Sequence, residues 1–105
     1  MDLILAVCMC PQAVAPQIAR EVLEQRCAAC VDILPGMWGM VGWEPGQLSG
    51  DEVTLLITTA DELVEELYTV ILDLHPASTP VIANLELAES YSAYIEWLHT
   101  TLASD

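Results

Sequence analysis

The sequence predicts an α+β domain, a ferredoxin-like β-α-β-β-α-β sandwich with an extra C-terminal helix. Along the whole chain, short segments typical of strands, either apolar throughout or alternating, are interspersed with segments of helical periodicity. Two strand segments follow one another between the first two helical segments, which is the order of the split βαβ arrangement. With 105 residues and no linker or low-complexity segment, we expect residues 1–105 to form a single domain.

The first half of the chain contributes a strand, a helix and a hairpin. Residues 3–9 are a continuous apolar run, as expected of a central strand. Pro16 suits the first turn of a helix that buries Ile18 and Val22. Extended segments at residues 31–43 and 53–58 follow, and residues 44–50, EPGQLSG, supply turn residues for a hairpin between them.

The second half contributes a helix, a strand and the terminal helix. Thr59 with Glu62 three residues later forms a capping-box pattern, which predicts the start of the second helix. Its buried stripe comprises Leu63, Leu67, Ile71 and Leu74, joined by Val64, and Pro76 predicts that this helix ends near His75. Residues 81–87 alternate as a strand, and a last helix carries an apolar stripe comprising Tyr91, Tyr94, Ile95, Leu98 and Leu102.

Apolar side chains occur on both faces of the predicted hairpin. A single chain would cover one sheet face with helices and leave the other in water, together with long unpaired strand edges. The hydrophobic fraction of 54% also exceeds the usual share of about 45–50%. We therefore expect a homo-oligomer, with the long β-hairpins in its interface.

The charge distribution excludes several classes of protein. The chain has sixteen acidic residues and only two basic ones, Arg20 and Arg26, which gives a net charge of −14. It contains no lysine. Phosphate binding rests on Lys and Arg, so nucleic acid is excluded as a partner. No apolar stretch approaches the roughly 20 residues of a membrane span. Without a basic, signal-like N-terminus, we expect a cytoplasmic location, no membrane partner and reduced thiols.

Several cysteines are candidate metal ligands. Cys8 and Cys10 lie at the end of the first strand and point to the same face, and thiols are soft donors suited to copper. His75 follows the second helix, and the topology brings that position to the same rim of the sheet. The alternative for all three is ordinary packing. Cys27 and Cys30 are spaced like a redox or zinc half-site but follow a helix rather than begin one, which favours a structural role for Cys27.

Five segments in order resemble the CutA divalent-cation-tolerance family. They are residues 28–36 (AACVDILPG), Trp43-Glu44, the third-strand segment 52–59, His75-Pro76 followed by Pro80, and Tyr94 with Trp97 and Leu98. The likeness covers essentially residues 3–102. It implies a homotrimer, a kinship with PII signalling proteins, and a role in the response to metal ions.

The same resemblance implies where ligands bind. A cleft between subunits would be rimmed by Trp43, Glu44, His75 and Pro76. In some relatives a cysteine near the first strand end binds copper together with the histidine of the His-Pro turn. The expected metal site is therefore Cys8, Cys10 and His75, holding copper or another divalent cation.

Departures from the family pattern leave two other functions open. The family usually has a lysine after its Trp-Glu-Gly turn and another where Thr58 stands, whereas Ala77 and Ser78 replace its Tyr and Glu. The chain would then be a purely structural trimer that has lost its ligand cleft, or a PII-like sensor of a small metabolite. No catalytic triad, phosphate loop or HExxH motif is present, so we expect no enzyme activity.

Overall fold

The computed structural model describes the backbone of residues 2–41 and 44–103, and the side chains of residues 2–35 and 51–103. The elements follow the predicted order: β1 (Leu3–Pro11), α1 (Ala15–Glu24), β2 (Cys30–Val41), β3 (Glu44–Ala60), a 3-10 turn (Asp61–Leu63), α2 (Val64–Leu74), β4 (Val81–Glu86) and α3 (Ser92–Leu102). The α+β class and the β-α-β-β-α-β order are confirmed.

The four strands form one antiparallel sheet in the order β2-β3-β1-β4. β1 lies inside the sheet, where Leu3 pairs with Ala60 of β3 and Ile4 pairs with Glu86 of β4. A strand with neighbours on both sides and a helix layer on one face has little contact with water, which explains its continuous apolar sequence.

Helices α1 and α2 cover one face of the sheet. The core between them contains Ala6 and Cys8 of β1, Ile57 of β3, Ile18 of α1 and Ile71 of α2, none of which has measurable solvent exposure. These helical residues come from the apolar stripes that the sequence predicts.

Helix α1 ends in a Schellman motif. The Cys27 N–H donates to the Val22 carbonyl at 2.9 Å, and the Arg26 N–H donates to the Leu23 carbonyl at 3.1 Å. Arg26 occupies the left-handed position of this motif, with φ of 59°. The motif directs Cys27 into the core, where it is buried. The structural role expected for Cys27 agrees with this position.

The predicted capping box at Thr59 is wrong. Thr59 is still part of β3, and its hydroxyl donates to the Cys27 carbonyl inside the protein. The backbone N–H of Glu62 is instead bound by the Asp61 carboxylate at 3.0 Å, which also accepts from the Asp2 N–H at 3.1 Å. The Thr59 hydroxyl therefore binds the buried Cys27 carbonyl, which is distant in sequence, and does not form the local capping box.

The predicted hairpin turn at residues 44–50 is also wrong, because these residues lie within β3. Val41 of β2 pairs with Glu44, and three register shifts follow between residues 34 and 41. β1 pairs only with residues 52–60 of β3, so the outer part of the hairpin has a single neighbour. The missing N–H of Pro45 is tolerable in such a strand because one edge carries no ladder partner.

Helix α3 caps one end of the sheet. Its Leu98 and Leu102 form a second apolar cluster with Leu3 and Ala60. Tyr91, expected in the buried stripe, is 76% exposed, so the stripe is narrower than predicted. Across the described ranges 2–41 and 44–103, each helix is too short or too polar to cross a membrane.

Among the described residues, a helix covers the second face of the sheet at one end only, where α3 packs on Leu3 and its Tyr94 contacts Cys30 and Thr58; we call this face the open face. Strand register aligns its side chains in three rows: Cys30-Thr58-Leu5-Leu85, Asp32-Leu56-Val7-Ala83, and Leu34-Thr54-Met9-Val81. Most of these side chains are apolar, and Leu85 is 56% exposed. Beyond the end that α3 covers, the single chain therefore presents the apolar face that the sequence predicts.

Candidate functional site

The end of β1 and the turn after α2 form a cleft of about 410 Å³. Its lining residues are Pro11, Asp51, Glu52, His75, Pro76 and Ala77. Strand pairing sets Glu52 opposite Pro11, and the Gln12 N–H donates to the Asp51 carbonyl at 2.8 Å. Two carboxylates and an imidazole thus share one cleft with no Lys or Arg in its lining.

His75 is placed by the end of α2. Its N–H closes the last helical turn by donating to the Ile71 carbonyl at 2.8 Å. Its backbone is extended, with φ of −78° and ψ of 130°, as expected for a residue before a proline. The extended backbone directs the His75 ring to the rim of the sheet, where it reaches β1.

Both ring nitrogens of His75 have partners. Nε2 lies 2.8 Å from the Met9 carbonyl oxygen, and Nδ1 lies 3.0 Å from the Ala77 backbone nitrogen. A carbonyl can only accept, and a backbone N–H can only donate. The neutral tautomer with its proton on Nε2 satisfies both contacts, whereas the other tautomer satisfies neither.

Cys8 and Cys10 lie close to this cleft in the chain but are not among its lining residues. Both side chains belong to the core under α1 and α2 and have no measurable exposure. The pKa of the Cys8 thiol is raised to about 12, mainly by burial and to a lesser extent by the neighbouring Cys10 and Glu52. Burial and the Glu52 carboxylate likewise raise the pKa of Cys10. Since metals bind the thiolate, this environment disfavours coordination without a local rearrangement.

The structure therefore brings the three predicted ligands to one rim without joining them into a metal site. Among the described residues, no three His, Cys, Asp or Glu side chains come close enough together to hold a metal ion. Of the predicted cleft residues, His75 and Pro76 line the cleft. Trp43 and the Glu44 side chain lie outside the described residues. The assignment of Cys8, Cys10 and His75 as ligands remains a prediction.

Sequence reasoning did not single out Asp51 and Glu52. Asp51 follows the segment interpreted as a hairpin turn and Glu52 begins the predicted third strand, amid many other acidic residues. The only signal in the sequence was indirect, because placing them beside Pro11 requires the register of β3 against β1. That register depends on tertiary packing rather than on local pattern.

A larger cleft of about 820 Å³ lies at the opposite end of β1, beside α3. It includes Asp2, Glu86, Glu96 and His99 among its lining residues. His99 therefore has acidic neighbours in this cleft. This cleft contains no predicted site residue.

Comparisons with known proteins agree on one family. A family model described as "CutA1 divalent ion tolerance protein" matches residues 4–101. The chain is similar to the divalent-cation tolerance protein CutA of Thermus thermophilus, with 32% identity over 93% of this chain and 95% of the relative. It is also similar to that of Pectobacterium atrosepticum, with 33% identity over 96% of this chain and 93% of the relative.

Solved structures give the same result. A divalent cation tolerance protein from T. thermophilus superposes with a TM-score of 0.83 at 33% identity, covering 91% of this chain and 94% of its own. A CutA from Xylella fastidiosa superposes with a TM-score of 0.87 at 30% identity, covering 98% of this chain and 100% of its own.

Proposed function

The chain belongs to the CutA1 divalent ion tolerance family, and from this premise we propose that it binds a divalent cation in the cleft beside His75 as part of a response to metal ions. The observation that carries the proposal is the lining of that cleft, which combines the Asp51 and Glu52 carboxylates with one imidazole. Zinc accepts imidazole and carboxylate ligands, and copper favours imidazole. We propose a binding role without catalysis.

The cleft lacks a complete ligand set within one chain, so we propose that the site is completed at a subunit boundary. The open face supports this proposal, since Leu34, Leu85 and other apolar side chains lie on it without cover. A homotrimer formed through this face and the long β2-β3 hairpin would bury them. Trp43 and Glu44 at the hairpin, with His75 and Pro76, would then rim the cleft.

Chemistry also bears on the identity of the ligand and on the cellular location. Copper is a candidate because it accepts imidazole and carboxylate and also soft sulfur. A PII-like sensor of a phosphate-bearing metabolite is the less favourable alternative, because the carboxylates in the cleft would repel phosphate. Four free cysteines suit a reducing compartment, which supports a cytoplasmic location.

Calorimetric titration of Cu²⁺ and Zn²⁺ into three proteins tests the proposal. The parent should bind with defined stoichiometry. An Asp51→Asn/Glu52→Gln double variant keeps size and hydrogen bonding while removing both charges, so it should bind at least about tenfold more weakly, a difference of about 1.4 kcal/mol. A matched Glu65→Gln/Glu66→Gln variant on α2 lowers the net charge equally and should bind like the parent.

A fourth protein distinguishes metal binding by the strand thiols from metal binding by the carboxylates. If Cys8→Ser/Cys10→Ser abolishes copper binding while the carboxylate variant retains it, the metal uses the strand thiols and the assignment to Asp51 and Glu52 is wrong. If the parent binds neither metal, the chain is a structural oligomer that has lost its ligand cleft. Binding of a nucleotide in place of a metal would favour the sensor function.

A further inference from the structure

The cleft beside α3 is a groove with an apolar floor. Leu3, Leu87 and Ile95 all line it, and all three belong to the second apolar cluster at the end of the sheet. Leu3 is buried, whereas Leu87 and Ile95 are only partly buried. Their side chains therefore keep apolar surface that a ligand in the groove can cover.

Hydrogen bonds hold the backbone on two sides of this groove. The Leu87 N–H donates to the Leu3 carbonyl at 3.0 Å, which ties the segment after β4 to the start of β1. The Asp61 N–H donates to the Asp2 carbonyl at 2.9 Å, and the Asp61 carboxylate accepts from the Asp2 N–H. The groove is therefore formed before any ligand arrives, as is usual for small-molecule sites.

Carboxylates surround the apolar floor. Asp2, Glu86, Glu89 and Glu96 line the cleft, and neither arginine of the chain is among its lining residues. The four acidic residues come from the start of β1, the end of β4, the segment after β4 and α3. Over the part of the chain that the structure describes, no three His, Cys, Asp or Glu side chains come together to hold a metal ion. The spread of charge thus suits a cation that is itself extended.

We propose that this groove binds a linear aliphatic polyamine, a methylene chain with an ammonium group at each end. The methylene groups cover Leu87 and Ile95, and the ammonium groups pair with carboxylates at separate points of the rim. Lysine side chains pack on proteins in the same way, with the apolar stem on apolar surface and the charge in a polar setting. This groove and the cleft beside His75 lie at opposite ends of β1, so the inference does not depend on the proposed cation site.

The size and charge of the groove favour a small cation over other ligands. Its volume of about 820 Å³ falls within the range of about 300–1,000 Å³ that is usual for small-molecule sites. The carboxylates of the rim would repel a phosphate or a carboxylate ligand. The net charge of −14 attracts any cation to the surface, so the apolar floor must distinguish specific binding from diffuse attraction.

Two diamines of equal charge test the role of the floor. Calorimetric titration of the intact oligomer compares 1,4-diaminobutane with 1,8-diaminooctane at about 0.15 M salt, where exposed charges more than about 8 Å apart are screened. Each buried methylene group contributes about fourfold in affinity. The longer diamine has four more of them and should bind at least about tenfold more tightly, with one site per chain.

Charge-matched variants locate the site. Glu86→Gln/Glu96→Gln should bind 1,8-diaminooctane at least about tenfold more weakly, because two ammonium–carboxylate pairs are lost. Glu65→Gln/Glu66→Gln on α2 removes the same charge away from the groove and should bind like the parent. All four side chains are exposed, so both variants should fold, which circular dichroism checks.

Nuclear magnetic resonance of the parent gives a second location that needs no variant. On addition of 1,8-diaminooctane, the amide resonances of Leu87 and Ile95 should shift more than that of Ala77 in the other cleft. Shifts confined to Ala77, equal affinity for the two diamines, or equal weakening in both double variants would overturn the site.

Other occupants are outcomes of the same titrations. A lysine tripeptide that binds more tightly than 1,8-diaminooctane would assign the groove to a protein partner and overturn its assignment to a free amine. Diamine binding by a parent that takes up neither Cu²⁺ nor Zn²⁺ would support the groove while overturning the proposed cation site.

Discussion

The hydroxyl of Thr59 donates a hydrogen bond to the carbonyl of Cys27, and Thr59 has no measurable solvent exposure. The bond joins the end of β3 to the segment that follows α1. It gives a hydrogen-bond partner to the carbonyl of a buried residue in the segment after the helix.

Replacing Thr59 by valine should destabilise the protein through this bond. The substitution keeps the shape of the side chain but removes the donor, which should lower the free energy of unfolding by about 1–3 kcal/mol. Urea unfolding of Thr59→Val and Thr59→Ser provides the comparison, since serine keeps the hydroxyl and loses a methyl group. A valine variant more stable than the serine variant would contradict the role assigned to the bond.

The four thiols should differ in their reactivity. Cys8, Cys10 and Cys27 are buried in the core, whereas Cys30 is partly exposed on the open face. With a thiol reagent at pH 8, no more than one thiol per native chain should react quickly, and all four should react in denaturant. Cys30→Ser should remove the fast reaction. A fast thiol remaining in that variant would show that the core around β1 opens readily.

Alkaline pH should destabilise the fold through Cys8. Its pKa rises from an ordinary value of 9.0 to about 12 in the folded protein. The folded state thus retains its proton where the unfolded state loses it, so the contribution of Cys8 to stability is complete below about pH 9 and is lost as the pH rises toward 12. Denaturant unfolding between pH 8 and 11 measures the slope. Cys8→Ala should flatten it, and an unchanged slope would assign the effect to other groups.

Assembly through the open face should be sensitive to a charge at Leu85. This side chain is already 56% exposed in the single chain, so Leu85→Glu should leave the chain folded but disrupt the oligomer. Leu72→Glu on α2 is the matched control, because Leu72 is 53% exposed on the helical side. Light scattering should give about three chain masses for the parent and the control. Three chain masses for Leu85→Glu as well would mean that the open face is not the interface.

The fold was predictable because most of its elements carry their own periodicity. The apolar run of β1, the stripes of α1 and α2, and the proline after His75 each depend on neighbouring residues alone. The wrong predictions concern residues whose conformation depends on partners that are distant in sequence. The Thr59 hydroxyl donates to the Cys27 carbonyl and does not cap the following helix. Residues 44–50 belong to the strand that pairs with β2 despite their turn-like composition.

The candidate site was predictable only in part for the same reason. His75 and Pro76 stand out locally, and they do line the cleft. The direction in which Cys8 and Cys10 point depends on which face of β1 the helices cover, and a strand pattern that is apolar on both faces does not reveal it. Asp51 and Glu52 reach the cleft through the register of β3 against β1.

The position of β1 has a consequence for synthesis on the ribosome. β1 is translated before the other strands of its sheet, yet its partners are residues 52–60 of β3 and β4 at Val81–Glu86. Its sheet neighbours therefore emerge long after it does, while the β2-β3 hairpin can pair as soon as it is translated. Until β4 emerges, an apolar strand without its full set of neighbours is exposed to aggregation and to chaperones that bind nascent chains.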